Sequence, residues 1–229
     1  MDARVEDWVV TPRVGKPVEV NALWYNALRT MEWICLLLGE SSELYRLQAE
    51  RTQTGFDRFW DPELGYLVDV LDGPNGNDLS LRPNQLLAVS LHFSPIGADR
   101  QRAVVDTCAR FLLTSYGLRS LASNEKAFIG SYGGTRYRRD AAYHQGTVWG
   151  WLIGPFVSAH LRVYQDPESA VSFLLPLLQH LGDNGLGSIS EIFDGDPPHR
   201  PHGCIAQAWS VAEVLRALDE ISRYNLQKP

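Results

Sequence analysis

Apolar and polar residues alternate along this chain on two scales. On the shorter scale, seven stretches carry the 3.6-residue spacing of helices, over 19–38, 42–59, 84–93, 98–114, 146–161, 167–182 and 205–224. They are of two kinds. The stretches 19–38, 84–93 and 146–161 are apolar nearly all round, the pattern of a helix enclosed on every side. Between them, 42–59 presents Glu43, Arg46, Gln48, Glu50 and Arg51 on one face, and 98–114 presents Asp99, Arg100, Arg102, Asp106 and Arg110. The stretch 167–182 is less clearly two-faced, and 205–224 turns charged at its far end. Enclosed and surface helices in alternation predict an all-α fold, with inner helices sheathed by outer ones.

The longer scale is a repeat. Glu19-Val-Asn-Ala-Leu-Trp-Tyr, Arg82-Pro-Asn-Gln-Leu, Tyr143-His-Gln-Gly-Thr-Val-Trp and Cys204-Ile-Ala-Gln-Ala-Trp each open polar or aromatic and then run apolar. Their starts lie about 60 residues apart, which marks a repeated supersecondary unit. Inner-to-outer connections are short: Gly39-Glu-Ser, Ser94-Pro-Ile-Gly and Gln165-Asp-Pro. Outer-to-inner connections, near 60–82, 115–144 and 183–204, are long, and loops beyond roughly 12–15 residues are usually functional. Because the helices alternate in direction, the long loops are expected at one end, beside the N-termini of the inner helices. Gly65-Tyr-Leu-Val-Asp-Val is expected to add a short strand there. No low-complexity linker divides the chain, so residues 1–229 read as one domain.

A closed ring of this type needs six helix pairs, and about three and a half are present, or about seven helices of twelve. The expectation is an open arc with apolar flanks that monomeric proteins avoid exposing. An upstream segment or a partner chain would then complete it.

Composition narrows the classes. A length of 229 residues suits one domain with a substantial core. The net charge of -6 disfavours a nucleic-acid partner. No run approaches the roughly 20 apolar residues that span a bilayer, and the acidic start is no secretory signal. Cys35, Cys108 and Cys204 form neither a disulfide framework nor a zinc pattern, which makes a reducing cytoplasm the simplest location. Seven Trp and nine Tyr exceed what a core of this size needs.

Two carboxylates stand out by position. Asp2 leads into the first inner helix, and Glu191 lies in the long loop before the last, so the topology brings both to one mouth. Glycoside hydrolysis uses such a pair, an acid for the leaving oxygen and a carboxylate that activates water. Each has a plain alternative: a solvated terminal charge, and a cap or surface residue. In the same loop, His199 and His202 with Asp194 and Asp196 lack the helical His pair or Cys pair of a metal site. Neither a metal nor a cofactor is expected. Gly195 and Pro197-Pro198 suggest a rigid loop, with Asp194 accepting hydrogen bonds from a turn. Aromatics at the inner-helix starts (Trp24, Tyr25, Tyr143, Trp149, Trp151, Trp209) can cover the C–H faces of sugar rings. Barrel core is an equal reading for Trp24, Trp151 and Trp209. Hydroxyl partners are available in Glu19, Asn21, Arg82, Asn84, Gln85, His144, Gln145 and Gln207, whose polar groups at buried helix ends need partners of some kind. No Gly-x-Ser-x-Gly elbow is present, and Gly130-Ser-Tyr-Gly-Gly lacks the Lys of a phosphate loop.

Long blocks then carry a family resemblance. Met1-Asp-Ala with Trp8-Val-Val-Thr-Pro-Arg and Gly15-Lys-Pro-Val-Glu-Val-Asn-Ala-Leu-Trp-Tyr-Asn-Ala-Leu resembles the C-terminal catalytic domain of glycogen debranching enzymes, the amylo-α-1,6-glucosidase family. So do Leu81-Arg-Pro-Asn-Gln, Tyr143-His-Gln-Gly-Thr-Val-Trp-Gly-Trp-Leu-Ile-Gly-Pro-Phe and the run from Ser190-Glu-Ile-Phe-Asp-Gly-Asp-Pro-Pro-His to Glu213. The resemblance implies an (α/α)6 barrel that hydrolyses α-1,6-linked glucose with inversion, Asp2 as general acid and Glu191 as general base, on a glycogen-like α-glucan. It also implies further helix pairs before the Met-Asp-Ala block, hence a partial domain. Two other functions suit the same residues: a glucoamylase-like or trehalase-like hydrolase, and a truncated remnant that binds glucan without turnover.

Overall fold

The computed structural model describes residues 4–226. Eight α-helices run through them: α1 (Val18–Leu38), α2 (Glu43–Phe56), α3 (Leu87–Ser90), α4 (Ala98–Phe111), α5 (Arg136–Tyr143), α6 (Ile153–Tyr164), α7 (Pro167–His180) and α8 (Ala208–Leu226). Single 3-10 turns lead into α3 at Pro83–Leu86 and into α6 at Gly150–Leu152. Helices α1, α3, α6 and α8 form a row, each packed on the next, while α2, α4 and α7 back onto α1, α3 and α6.

The core centres on α6. Its Ile153, Phe156, Val157, Ala159 and Leu161 are buried in one apolar cluster with Val104, Val105 and Cys108 of α4, Leu174 and Leu177 of α7, and Val214, Ala217 and Ile221 of α8. Each large apolar side chain buried this way contributes about 1.5–3 kcal/mol. The helix ends follow local chemistry. Gly39 takes the left-handed conformation (φ 72°), and the Gly39 and Glu40 amides turn back to the Leu36 and Cys35 carbonyls at 3.3 and 2.9 Å. Helix α7 opens on Asp166, whose carboxylate accepts the Glu168 and Ser169 amides at 3.1 Å, with Pro167 in the first turn.

The all-α expectation, and with it the purely helical (α/α)6 toroid, is corrected by the structure, which is 52% helix and 13% strand. The strands are β1 (Arg4–Val5), β2 (Trp8–Val9), β3 (Lys16–Pro17), β4 (Trp60–Asp61), β5 (Tyr66–Leu67), β6 (Val70–Gly73), β7 (Gly76–Asp78), β8 (Leu113–Thr114), β9 (Gly117–Arg119), β10 (Val148–Trp149), β11 (Ile192–Phe193) and β12 (Pro201–His202). All pairings are antiparallel: hairpins β1-β2 and β4-β5, a sheet β3-β6-β7, and a five-stranded sheet β12-β11-β10-β9-β8. The physical reason is that backbone amides and carbonyls in the long loops must pair once buried, and they pair with one another. Val148 stands opposite both Arg119 and Phe193, so two of the long loops meet on the start of the third inner unit.

Three further expectations change. The stretch 146–161 is not helical at its start, because 148–149 join the sheet and Gly146 (φ 145°) turns against the Ile129 carbonyl. Within 115–144, α5 appears where the sequence suggests only loop. Finally, α1 is not enclosed. It buries Val18, Ala22, Tyr25 and Leu28, whereas Val20, Leu23, Trp24, Trp33, Leu36 and Leu37 are exposed. Helix α1 ends the row, and no described element covers its far flank.

That flank generates a prediction. With Leu44 and Leu47 of α2 also exposed, the isolated chain should form concentration-dependent oligomers in sedimentation velocity. The double substitution Trp33→Glu, Leu37→Glu should shift it towards monomer without lowering its melting temperature. A monodisperse parent chain would sink the idea.

Candidate active site

A charged residue inside an apolar strand run organises the mouth. Asp69, between β5 and β6, is 2% exposed. Its carboxylate accepts from Arg13 Nε at 2.7 Å, Arg13 Nη2 at 3.0 Å and Asn84 Nδ2 at 2.8 Å, and Arg82 Nε lies 3.8 Å away. Arg13 also grips Glu19 through both terminal nitrogens. Arg82 donates to the Ser120 carbonyl (3.0 Å), the His144 carbonyl (2.7 Å) and Gln145 Oε1 (2.7 Å). Burial pushes the Asp69 carboxyl above its ordinary range, against the pull of Arg13, Arg82 and Asn84. Burial disfavours the Arg13 charge too, but Glu19 and Asp69 more than compensate and hold the guanidinium above its usual value.

Glu191 stands immediately before β11. Its amide donates to the Cys204 carbonyl (2.9 Å), and its own carbonyl accepts from Gly150 (3.3 Å). Both carboxylate oxygens are engaged. Oε1 accepts from the Tyr143 hydroxyl, and Oε2 accepts from the Cys204 amide at 2.8 Å. Gly203 (φ 71°) makes that second contact feasible, since a Cβ there would sit 2.6 Å from Oε2. Burial, then the hydrogen bond and charge of Glu191, raise the Tyr143 phenol above its ordinary value, so it remains a donor. The Tyr143 carbonyl is held by Thr147 Oγ1 (2.6 Å) and Trp149 Nε1 (3.0 Å). Behind Glu191, buried Ser190 contacts His180 Nε2 and Asn184 Nδ2, each at 3.1 Å.

Beside this carboxylate lies a cavity of 140 Å³ lined by Pro83, Asn84, Ser120, His144, Trp149, Trp151, Leu152 and Trp209. Trp151 and Trp209 stack (5.2 Å, 26°), Trp149 meets Trp209 edge-on (6.0 Å, 78°), and His144 lies parallel to Trp149 at 5.1 Å. Tyr143, which holds Glu191, packs against Trp149 of the cavity lining at 4.7 Å, so two rings connect the carboxylate to the cavity. Apolar ring faces with a few fixed polar groups are the usual make-up of a small-ligand site.

The candidate residues do not all converge. Arg82, Asn84, Tyr143, His144, Gln145, Trp149 and Trp209 gather around Glu191 and the cavity, with Glu19 joined through Arg13. Gln85 is buried in the scaffold, accepting from the Leu67 amide (3.1 Å) and donating to the Arg82 carbonyl (3.2 Å). Gln207 makes two main-chain bonds, its amide to Ile189 (2.9 Å) and its carbonyl from Val211 (3.2 Å). Asn21 donates to the Pro17 carbonyl (2.8 Å) and with Trp24 lines a separate groove of 480 Å³ beside α2. Tyr25 sits in a small core with Leu28 and Ala49. Asp2 lies outside the described residues. The Asp194 carbonyl accepts from His199 Nδ1 within its own turn (2.8 Å), while its carboxylate accepts from the Tyr132 amide (2.7 Å), with His202 Nε2 at 3.1 Å. Sequence reasoning missed Asp69 and Arg13; the available signal was a carboxylate amid Tyr66-Leu-Val and Val70-Leu.

Known proteins agree with this arrangement at the level of family and fold. A family model described as amylo-alpha-1,6-glucosidase matches residues 1–216. A glucose complex of a GH63 mannosylglycerate hydrolase from Thermus thermophilus superposes with a TM-score of 0.67 at 17% identity, over 89% of this chain and 47% of that one. A neutral trehalase from Saccharomyces cerevisiae gives 0.65 at 14% identity (93% and 40%). A GH15 glucoamylase from Hypocrea jecorina gives 0.60 at 16% identity (96% and 44%). The chain thus shares their fold and spans under half the length of each.

Two outcomes follow from the site's electrostatics. Asp69→Ala leaves two buried guanidinium groups without their shared carboxylate, and should cost about 3–5 kcal/mol in urea unfolding; a loss below about 1 kcal/mol would refute its organising role. His180 is held below its usual value of 6.5 by burial. The Ser190 amide donates to its Nε2, so protonation removes an acceptor. The unfolded chain therefore takes up the proton first. Stability should be complete above about pH 6.5 and fall as pH drops below it. Thermal melts from pH 7.5 to 5.5 should show this slope, and His180→Gln should flatten it.

Proposed function

The chain belongs to the amylo-α-1,6-glucosidase family, and from that premise we propose that it carries the catalytic pair of an inverting glycoside hydrolase. Its substrate in this reading is the α-1,6-linked glucosyl stub of a glycogen-like glucan, and the reducing cytoplasm suits its three free thiols. The observation that carries the reading is the Glu191 carboxylate, fixed through both oxygens beside a tryptophan-lined cavity.

In this mechanism the glucosyl ring rests against Trp149, Trp151 and Trp209, with Asn84 and His144 as hydroxyl partners. Glu191 takes a proton from a water that attacks the anomeric carbon. The bond from that carbon to the leaving oxygen breaks as Asp2 donates its proton to the oxygen. Inversion requires the two carboxyl groups to stand roughly 6.5–9.5 Å apart, with the water between the base and the sugar. Tyr143 and the Cys204 amide aim the base, and the Asp69 cluster anchors Asn84. Because the chain spans under half of the structures it superposes on, we assign the reaction to an assembly in which a further segment or partner chain covers the open flank of α1.

In such an assembly, Glu191→Gln should abolish hydrolysis and retain glucan binding, because the amide keeps the shape and loses the basicity. Asp2→Asn should fail on branch stubs and much less on α-glucosyl fluoride, whose leaving group needs little protonation. NMR of fresh product should show β-glucose first. Initial α-glucose would reject the assigned roles, faster turnover of trehalose or maltooligosaccharides would move the specificity, and binding without turnover would make the chain a glucan-binding protein.

A further inference from the structure

Inversion asks more of the attacking water than a single contact. The water gives one proton to the base while its lone pair points at the anomeric carbon. One hydrogen bond leaves it free to swivel about that bond, so orientation needs an acceptor for its second proton. Glu191 has room for the first, since Tyr143 and the Cys204 amide take only two of the roughly four lone-pair sites of a carboxylate. Those two donors are thereby committed. A second phenol remains beside the base.

Tyr132 lies half-buried in the long loop between β9 and α5. Its ring stands 6.0 Å from that of Tyr143, which grips Glu191, and 5.5 Å from that of His202. Its amide donates to the buried Asp194 carboxylate at 2.7 Å, and the same oxygen has His202 Nε2 at 3.1 Å. The Asp196 amide closes the loop on the same side, donating to the Gly130 carbonyl at 2.9 Å. Backbone and ring of Tyr132 are therefore held, yet its hydroxyl bonds no group among the described residues. Burial raises this phenol above its ordinary value; Arg139 pulls it down, while the Asp140 and Glu191 charges add to the rise. It thus feels the Glu191 charge, and at neutral pH it keeps its proton and an oxygen able to accept.

We propose that the Tyr132 hydroxyl is the second anchor of the attacking water, and that Asp194 and His202 position its ring. This role rests on the reading of Glu191 as base and holds whichever group supplies the acid. Water's first proton passes to Glu191 while its oxygen bonds the anomeric carbon. The bond from that carbon to the leaving oxygen breaks, and the leaving oxygen takes its proton from the acid. Water's second proton, accepted by Tyr132 Oη throughout, stays on the new hydroxyl of the glucose.

Tyr132→Phe deletes the hydroxyl and keeps the ring between His202 and Tyr143. In the assembly that turns over, it should cut kcat about ten- to a hundredfold with KM unchanged. The cut should be equal on α-1,6 stubs and on α-glucosyl fluoride, because both reactions use the same water. A raised KM with kcat kept would make Tyr132 a sugar contact, and a loss confined to the stubs would tie it to leaving-group protonation. Either result overturns the proposal. Asp194→Ala should copy the loss, and Asp194→Asn, whose side-chain oxygen still accepts from the Tyr132 amide, should restore most of the rate; failure of that rescue overturns the positioning role. Nearness is read without turnover in the chain itself. With isotopically labelled tyrosine, the phenol NMR signal that Tyr132→Phe removes should shift as Glu191 titrates, and most of that shift should vanish in Glu191→Gln. A signal indifferent to Glu191 overturns the anchor. A parent assembly that hydrolyses neither substrate overturns the hydrolase reading and the anchor with it, whereas an active parent with Tyr132→Phe unimpaired overturns the anchor alone.

Discussion

A single carboxylate buried between two guanidinium groups orders the mouth of this molecule. Asp69 binds Arg13 and Asn84 and lies beside Arg82. Through those partners it reaches Glu19 at the start of α1, Asn84 before α3, and Gln145 before β10. The remaining link runs from Tyr143 through Glu191 to Cys204. All four polar, aromatic blocks of the sequence repeat are thereby joined by a chain of hydrogen bonds and ion pairs that runs through Arg13, Asp69 and Glu191. Such a cluster is no guarantee of net stability, because desolvating its charges offsets much of their attraction. Its strength is directional. The Arg82 guanidinium, which donates to two carbonyls and a side-chain amide beside the Asp69 charge, has few geometries open to it, so the loops that supply those groups are held in one arrangement.

The five-stranded sheet performs the complementary task for the main chain. It is built almost entirely from two-residue strands contributed by segments far apart in sequence, and it sets Glu191, Trp149 and His202 on adjacent strands or at their ends. Helices supply the core in bulk. The sheet decides where the chemistry-bearing side chains emerge from it.

Much of this was legible in the sequence. The surface helices α2 and α4 follow their charged stripes, and the 60-residue spacing of blocks located Tyr143, Asn84, His144 and Trp209, which do meet at one place. What escaped had physical causes. A two-residue strand is too short to display an alternating pattern, and Val148-Trp149 reads as the apolar start of the helix that follows. Helix α5 has no apolar stripe to betray it, since only Ala142 of its eight residues is buried. Asp69 hid in a strand-like run, and its partner Arg13 lies 56 residues away. Nor could periodicity tell that the apolar circumference of α1 would be left half uncovered, since enclosure depends on neighbours rather than on the helix itself.

The contact between Glu191 and position 204 is made by a main-chain amide, not by the cysteine side chain. Half of the carboxylate's anchorage is therefore indifferent to which amino acid occupies position 204, proline excepted. The other half depends wholly on one phenol. Sequence drift can thus pass freely through one support of this residue while the neighbouring support, and the glycine at 203 that lets the turn approach, admit almost no substitution. Tolerance and constraint sit one residue apart, divided by whether the backbone or a side chain does the holding.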